Sequence, residues 1–475
     1  MRAELTGDQT EKIGAAMSAR FLIIALDGAD GALLDRWSAD GTLPNLTALR
    51  AGGAATRLSA PEGITDDALW ASFKYAAGLG EHGRYHWLQR LGSGEMGMAY
   101  LDEADREAFW DTLSSHGLRV AVFDVPKCGL PQPINGIHLA DWLVHGRYFS
   151  EPKSYPESLA AEVVEQFGPA PPSRCAYEVP ALNDAEVREV VANLRTSVAR
   201  KRTAGLHYLA SGTWDLFMIA FKEGHCAGHH LWDLVDPRHA DHNAARNALL
   251  GEPLRTIFKD LDAAVGDLIA AAGQDAAIAV FSSTDMEPNS TLSHLMPELV
   301  NRLNGCLGES LLTRAIHCVW RSMTRVPVRR PCELLPYNEN CTALRVNPQW
   351  GIFRHLPING RSKVQMLEQV ESMLRQLTDV DTGRPVVVAI DRPSAEHSGR
   401  RAAALPDLLV RYAAGILPRA VVSPRLGSIE AKRPHLRPGD HVSGGILIFS
   451  GEKVAGVTAM QDLGNMAAKV LHVAT

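Results

Sequence analysis

FLIIALDGAD, residues 21–30, decides the fold. Six consecutive apolar positions, Phe21 through Leu26, run without polar alternation into Asp27 and Gly28. That is how a strand covered on both faces of a parallel sheet reads. The signature recurs in LRVAVFDVP (118–126), TWDLFMIAF (213–221) and AAIAVFSS (276–283). Between these runs, FWDTLSSHG (109–117) and IFKDLDAAVGDLIAAAG (257–273) carry helical periodicity, and LPNLTALRAGG (43–53) reads as a short helix closed by Gly52 and Gly53. Apolar strands alternating with helices predict an α/β fold, a mostly parallel central sheet flanked by helices on both faces. Residues 289–401, with VPVRRPCELLPYNEN at their centre, are rich in Pro and polar residues and predict a less regular cap or insertion. Strand signals return in PDLLVRY (406–412) and GGILIFSG (444–451). The expected organisation is a tail over residues 1–20 and a catalytic domain over 21–475.

Composition narrows the function. The chain has 475 residues, 46% of them hydrophobic, enough for a large folded enzyme and unlike a disordered sequence. With 48 Lys+Arg against 54 Asp+Glu, the formal charge is −6 and no long basic run exists, so a nucleic-acid partner is not expected. Seven cysteines without a CxxC pair read as reduced thiols. Residues 1–20 mix acidic, basic and small side chains and lack an apolar signal core, and no apolar run approaches the roughly 20 residues a bilayer requires. A cytoplasmic protein with no membrane partner is the expectation.

In open α/β sheets, ligands gather beyond the carboxyl ends of the strands. Asp27 stands there, as a turn residue or as a carboxylate ligand for a metal ion, and no GxGxxG follows to suggest a dinucleotide site. FKEGHCAGHHLW places His225 and His229 four apart, on one face if the segment is helical, a spacing that can chelate one metal; His230 is a neighbour. RPGDHVSGG (437–445) puts His441 in a glycine-rich loop. Thr65 and Asp66 precede an apolar helix-like run, as an N-cap with acidic support or as a hydroxyl nucleophile where backbone N–H groups favour an anion.

Taken in order, LDGAD, LPNLTALRAGG, TDDALWASF, GEHGRY, FDVPKCGLPQPINGIHLADW, KEGHCAGHHLWD, ALPDLLVRY and RPGDHVSGG resemble the alkaline phosphatase superfamily, most of all its type I phosphodiesterase and nucleotide pyrophosphatase branch. The resemblance implies an alkaline phosphatase-like fold and a pair of metal ions, commonly zinc, beside a Ser or Thr nucleophile that cleaves phosphate or sulfate esters. It implies Asp27, His229 and His441 as ligands, with His225 where the family usually has Asp. Two departures stand out. Where the family has Asp-His-Gly, this chain has Ser283 and Thr284 in direct register, with Asp285 available only if the loop shifts. The nucleophile position falls on Asp66 by counting, with Thr65 one residue earlier.

His82 and Arg84 in GEHGRY are candidates for orienting ligands or meeting an anion, and Arg345 and Asn347 for facing substrate. The leading expectation is therefore a metal-dependent hydrolase of small anionic phosphate or sulfate esters. Thr65 would attack, with Asp66 beside it, and Asp27, His225, His229, His441 and Asp285 would serve one or two divalent ions, zinc before manganese or iron. A single-metal, three-histidine member redirected to iron-dependent redox chemistry and a degenerate anion-binding protein are the alternatives.

Overall fold

The computed structural model describes residues 19–473 apart from 62, 65, 92–95, 100–105, 144–150, 174–180, 325–327, 338–339, 352–360, 433–434 and 452–454. The opening apolar run forms strand β1 (Ala19–Leu26). Successive side chains of a strand point to opposite faces, so β1 feeds two cores at once. Leu22, Ile24 and Leu26 enter one core, and Phe21, Ile23 and Ala25 enter the other. That double burial is why the run is continuous rather than alternating.

The remaining strands of the central sheet are β2 (Ala54–Arg57), β3 (Val120–Phe123), β4 (Gly136–Ala140), β5 (Lys153–Tyr155), β6 (Trp214–Phe221), β7 (Ala277–Ser282) and, after a separate ribbon of β8 (Asp285–Pro288) with β9 (Gly439–Val442), β10 (Ile446–Ser450). Their order is β2-β10-β7-β1-β6-β3-β4-β5. β1 pairs parallel with β6 and β7, and β3 pairs parallel with β6 and β4. Both edges are antiparallel, β10 against β7 and β2, and β5 against β4. Helices α1 (Asp66–Tyr75) and α5 (Met460–Val470) cover one face of the sheet. Helices α2 (Asp184–Ala210), α3 (Glu223–Val235) and α4 (Pro253–Ala272) cover the other. The expected α/β architecture is present, and the carboxyl ends of the parallel strands open on one side.

In the 289–401 stretch, expected to be less regular, the described residues include helices and strands. Helices Met296–Cys306, Leu311–Thr324 and Lys363–Leu374 accompany an antiparallel sheet of Cys332–Leu334, Cys341–Val346, Leu408–Tyr412 and Val387–Asp391, in that order. Leu299, Leu303, Leu344, Val370, Val410 and Val421 pack in a core of their own that continues beyond residue 401. Strands of three to six residues with polar flanks hide their non-local pairing in the sequence, although Ser362 and Gln365 do form a capping box at the start of one helix. No described helix is long and apolar enough to cross a membrane, and Cys128, Cys306, Cys318 and Cys332 are free thiols.

Candidate active site

Asp27 leaves β1 directly into a turn. Gly28 has φ +60°, and a Cβ there would lie 2.8 Å from the His225 Cα, so only glycine lets the turn sit against α3. The Asp27 carboxylate is fully buried. Its Oδ1 accepts the Trp70 indole N–H at 3.0 Å and the Ser283 hydroxyl at 2.7 Å, while Oδ2 faces His225 Nδ1 at 3.2 Å. Burial by itself would raise this carboxyl, yet His225, then Lys222 and Lys127, hold it well below the usual range.

Strand β6 passes through Lys222 into α3, whose helical turn places His225 and His229 on one face. Their Nε2 atoms stand 3.1 Å apart. His229 Nδ1–H donates to the Gly439 carbonyl at 2.9 Å, which directs the Nε2 lone pair toward His225. His441 arrives on β9 rather than in a loop as expected, paired with Met286 across the ribbon. The ribbon lies directly on the helix, since a Cβ at Gly439 would come 2.4 Å from the Gly228 carbonyl. Close contact between two glycine backbones is what brings His441 within reach.

The three rings have centroids 4.4 to 4.7 Å apart, and their ligand nitrogens all lie within 4.8 Å of one another. His441 Nδ1 is bonded to the Thr284 hydroxyl at 3.0 Å, whereas its buried Nε2 has no hydrogen-bond partner. Burial lowers the His441 pKa, against the opposing pull of Asp66 and Asp440, which keeps the ring in its ligand form. Three buried imidazoles, one with a nitrogen that has no hydrogen-bond partner, are a donor set that fits a zinc-like ion with a fourth position open.

The start of α1 forms the opposite wall. Asp66 and Asp67 are both buried and both meet Lys127: the ammonium contacts Asp66 Oδ2 and lies 2.5 Å from Asp67 Oδ1. Burial would raise the Asp66 carboxyl, but Lys127 drives it far below the usual range. Asp27, Asp66 and His225 also offer ligand atoms within 4.8 Å of one another.

The structure thus brings Asp27, Asp66, His225, His229 and His441 together, and it leaves others out. Thr65 lies outside the described residues. Asp285, expected as a possible carboxylate ligand, is elsewhere: it accepts the Gly31 N–H at 2.7 Å and faces Arg57 at 3.8 Å. The loop keeps direct register, with Ser283 on Asp27 and Thr284 on His441, so no shift delivers Asp285. His82 bonds Ser72 Oγ at 3.0 Å and accepts the Arg84 N–H, and burial pushes its pKa down to about 3. His82, Arg84 and Arg345 line a separate cavity of about 180 Å³. Arg345 donates to the Ala404 and Leu405 carbonyls and Asn347 to that of Arg330, which are structural roles.

Lys127, Trp70 and Asp67 were not singled out by sequence reasoning. Lys127 had a usable signal: it follows an apolar strand at its carboxyl end, as Asp27 does, after Pro126.

Comparisons with known proteins bear on the fold and the family. The structure resembles phosphonoacetate hydrolase from Sinorhizobium meliloti 1021 in complex with phosphonoacetate, with a TM-score of 0.56, 11% identity and 96% of each chain covered. It resembles the same enzyme in complex with phosphonoformate, with a TM-score of 0.54, 12% identity and 96% of each chain covered. Murine ectonucleotide pyrophosphatase/phosphodiesterase 5 matches with a TM-score of 0.48 at 11% identity, again over 96% of both chains. No curated protein matches the chain. The profile of type I phosphodiesterase / nucleotide pyrophosphatase matches residues 21–415. A match over most of the chain, on an alkaline phosphatase-like fold, shows that the chain belongs to the type I phosphodiesterase / nucleotide pyrophosphatase family.

Proposed function

We propose that this protein is a metal-dependent hydrolase of small phosphate esters that works with one divalent ion, zinc, held by His225, His229 and His441. The observation that carries the reading is the buried three-imidazole cluster, in which His441 Nε2 has no hydrogen-bond partner. A zinc ion bound there would act as a Lewis acid on a phosphoryl oxygen and lower the pKa of a bound hydroxyl.

The chain's own residues have definable tasks. Gly439 fixes the tautomer of His229, and Thr284 orients His441. Trp70 and Ser283 hold Asp27 so that Oδ2 meets His225. A carboxylate driven as far down as Asp66 is a weak general base at neutral pH, so its task in this reading is electrostatic. Thr65 remains the attacking hydroxyl of this proposal, with Asp66 following it at the start of α1.

Purified protein supplied with zinc or manganese should cleave an aryl phosphodiester or phosphomonoester, and Thr65→Ala and His229→Ala should each lose that activity. An aryl sulfate in the same assay tests whether the site extends to sulfate esters. Metal-loaded protein that leaves all three substrates intact contradicts ester hydrolysis. The all-nitrogen donor set also suits iron. Iron in the freshly purified protein, with oxygen-dependent turnover, favours a redox enzyme instead.

A further inference from the structure

Asp27, Asp66 and His225 form a second group whose ligand atoms lie within 4.8 Å of one another, but unlike the first cluster it already has a lysine ammonium on one of its carboxylates. We infer that the Lys127 ammonium is the second positive charge of this site, carried by the chain itself, so that one divalent ion completes it. This rests on the proposed hydrolase reading for its purpose, although not for its geometry.

Three observations converge. The segment after β7 supplies hydroxyls in place of an imidazole, and both are committed: Ser283 donates to Asp27 and Thr284 bonds His441. Asp27 Oδ1 already accepts two hydrogen bonds. The Lys127 ammonium lies on Asp66 Oδ2 and 2.5 Å from Asp67 Oδ1, with its side chain only 5% exposed. The buried Asp66 Oδ1 and Asp27 Oδ2 have no hydrogen-bond partner, while the ammonium takes Asp66 Oδ2 and offsets the charge of that carboxylate. Lys127 is aimed there by a backbone in the left-handed region, φ +56°, following Asp124 at +55°.

Charge accounting points the same way. The cavity wall carries three buried carboxylates, Asp27, Asp66 and Asp67. One ammonium and one divalent ion balance them. The buried charges at the start of α3 cancel among themselves, since Lys201 lies 3.5 Å from Glu223 and 3.1 Å from Asp124, and Lys222 brings the four to zero. Adding another divalent ion beside Lys127 would leave a net positive charge in a poorly solvated space, which is costly. Lys127 is on this account a positioning residue, setting the local charge through Asp66 and Asp67.

The experiment is a zinc titration of metal-free protein, read by calorimetry and by elemental analysis after desalting. One tight equivalent is expected to saturate both binding and phosphodiester turnover, with any further equivalent at least a hundredfold weaker. Lys127→Met should keep the first equivalent within about threefold of the wild-type affinity while kcat falls at least a hundredfold and KM changes little. Lys127→Arg, which keeps the charge, should recover most of the loss, and so should ethylammonium added to Lys127→Ala. Two tight equivalents in the wild-type protein overturn the inference without recourse to any variant. Lys127→Met within fivefold of wild-type kcat overturns it as well. One tight equivalent with no turnover of any ester supports the charge assignment and overturns the hydrolase reading alone.

Discussion

Lys127→Met is also the sharpest test of how the site is held together. Methionine keeps an unbranched stem of similar length and removes the charge. Asp66 and Asp67, whose side chains are 10% and 12% exposed, then lose the ammonium that both contact. Breaking a buried ion pair by removing one partner costs about 3 to 5 kcal/mol, most of it the penalty of stranding the other charge. Asp66→Asn in the same chain removes one stranded carboxylate, so the double variant should be more stable than the sum of the two single changes by about 1 to 3 kcal/mol. Urea unfolding of metal-free protein at pH 7, followed by tryptophan fluorescence, supplies the four stabilities of the cycle.

The pH dependence gives a second, independent sign. The Asp66 carboxyl is depressed in the folded protein, so the stability it contributes is present above its unfolded value near 4 and fades as the pH falls below that. Without Lys127, burial is the dominant influence and the carboxyl moves up. Lys127→Met should therefore regain stability relative to wild type as the pH is lowered from about 6 to about 4. A cycle additive within about 0.5 kcal/mol, with parallel pH curves, refutes the claim that Lys127 holds Asp66.

Trp70→Phe deletes the indole donor on Asp27 and should weaken zinc affinity about tenfold, measured by competition with a chromophoric chelator, because groups behind a ligand orient it. Gly439→Ala places a methyl group 2.4 Å from the Gly228 carbonyl and should cost about 1 to 3 kcal/mol of stability together with zinc affinity. Gly305→Ala, where a Cβ meets nothing within 4 Å, should be neutral or slightly stabilising in the same melts. Asp30 caps Leu33 from a buried position, and burial and Asp285 raise its pKa to about 6. The folded protein then holds an extra proton between about pH 4 and pH 6, so this group makes stability fall by on the order of 2 to 3 kcal/mol as the pH rises through that window, a slope that Asp30→Asn should remove.

The sequence made the site legible where the physics is local. Residues 21–28 announce a buried strand and its turn, and the four-residue spacing of His225 and His229 needs only one helix to become a shared face. His441 was visible as a histidine but not as part of a ribbon. β8 and β9 are four residues each and far apart in sequence, and only the contact of Gly228 with Gly439 reveals why they meet α3. Asp285 was reached by allowing a shift that the structure does not make, because Ser283 and Thr284 each have a specific hydrogen-bond partner that locks the register. The 289–401 stretch hid its antiparallel sheet behind Pro and polar residues, since pairing such as Cys341–Arg411 leaves no periodic trace in a short strand. Lys127 was passed over because its meaning depends on Asp66 and Asp67, about 60 residues earlier.

The account stands most directly on whether three imidazoles share one ion. Elemental analysis of freshly purified wild-type protein should give about one zinc per chain, and His229→Ala, still folded by circular dichroism, should retain less than a tenth of that after dialysis. Wild-type protein that takes up no divalent metal even when it is supplied, or His229→Ala that keeps the ion as well as wild type, would contradict the cluster as the metal centre.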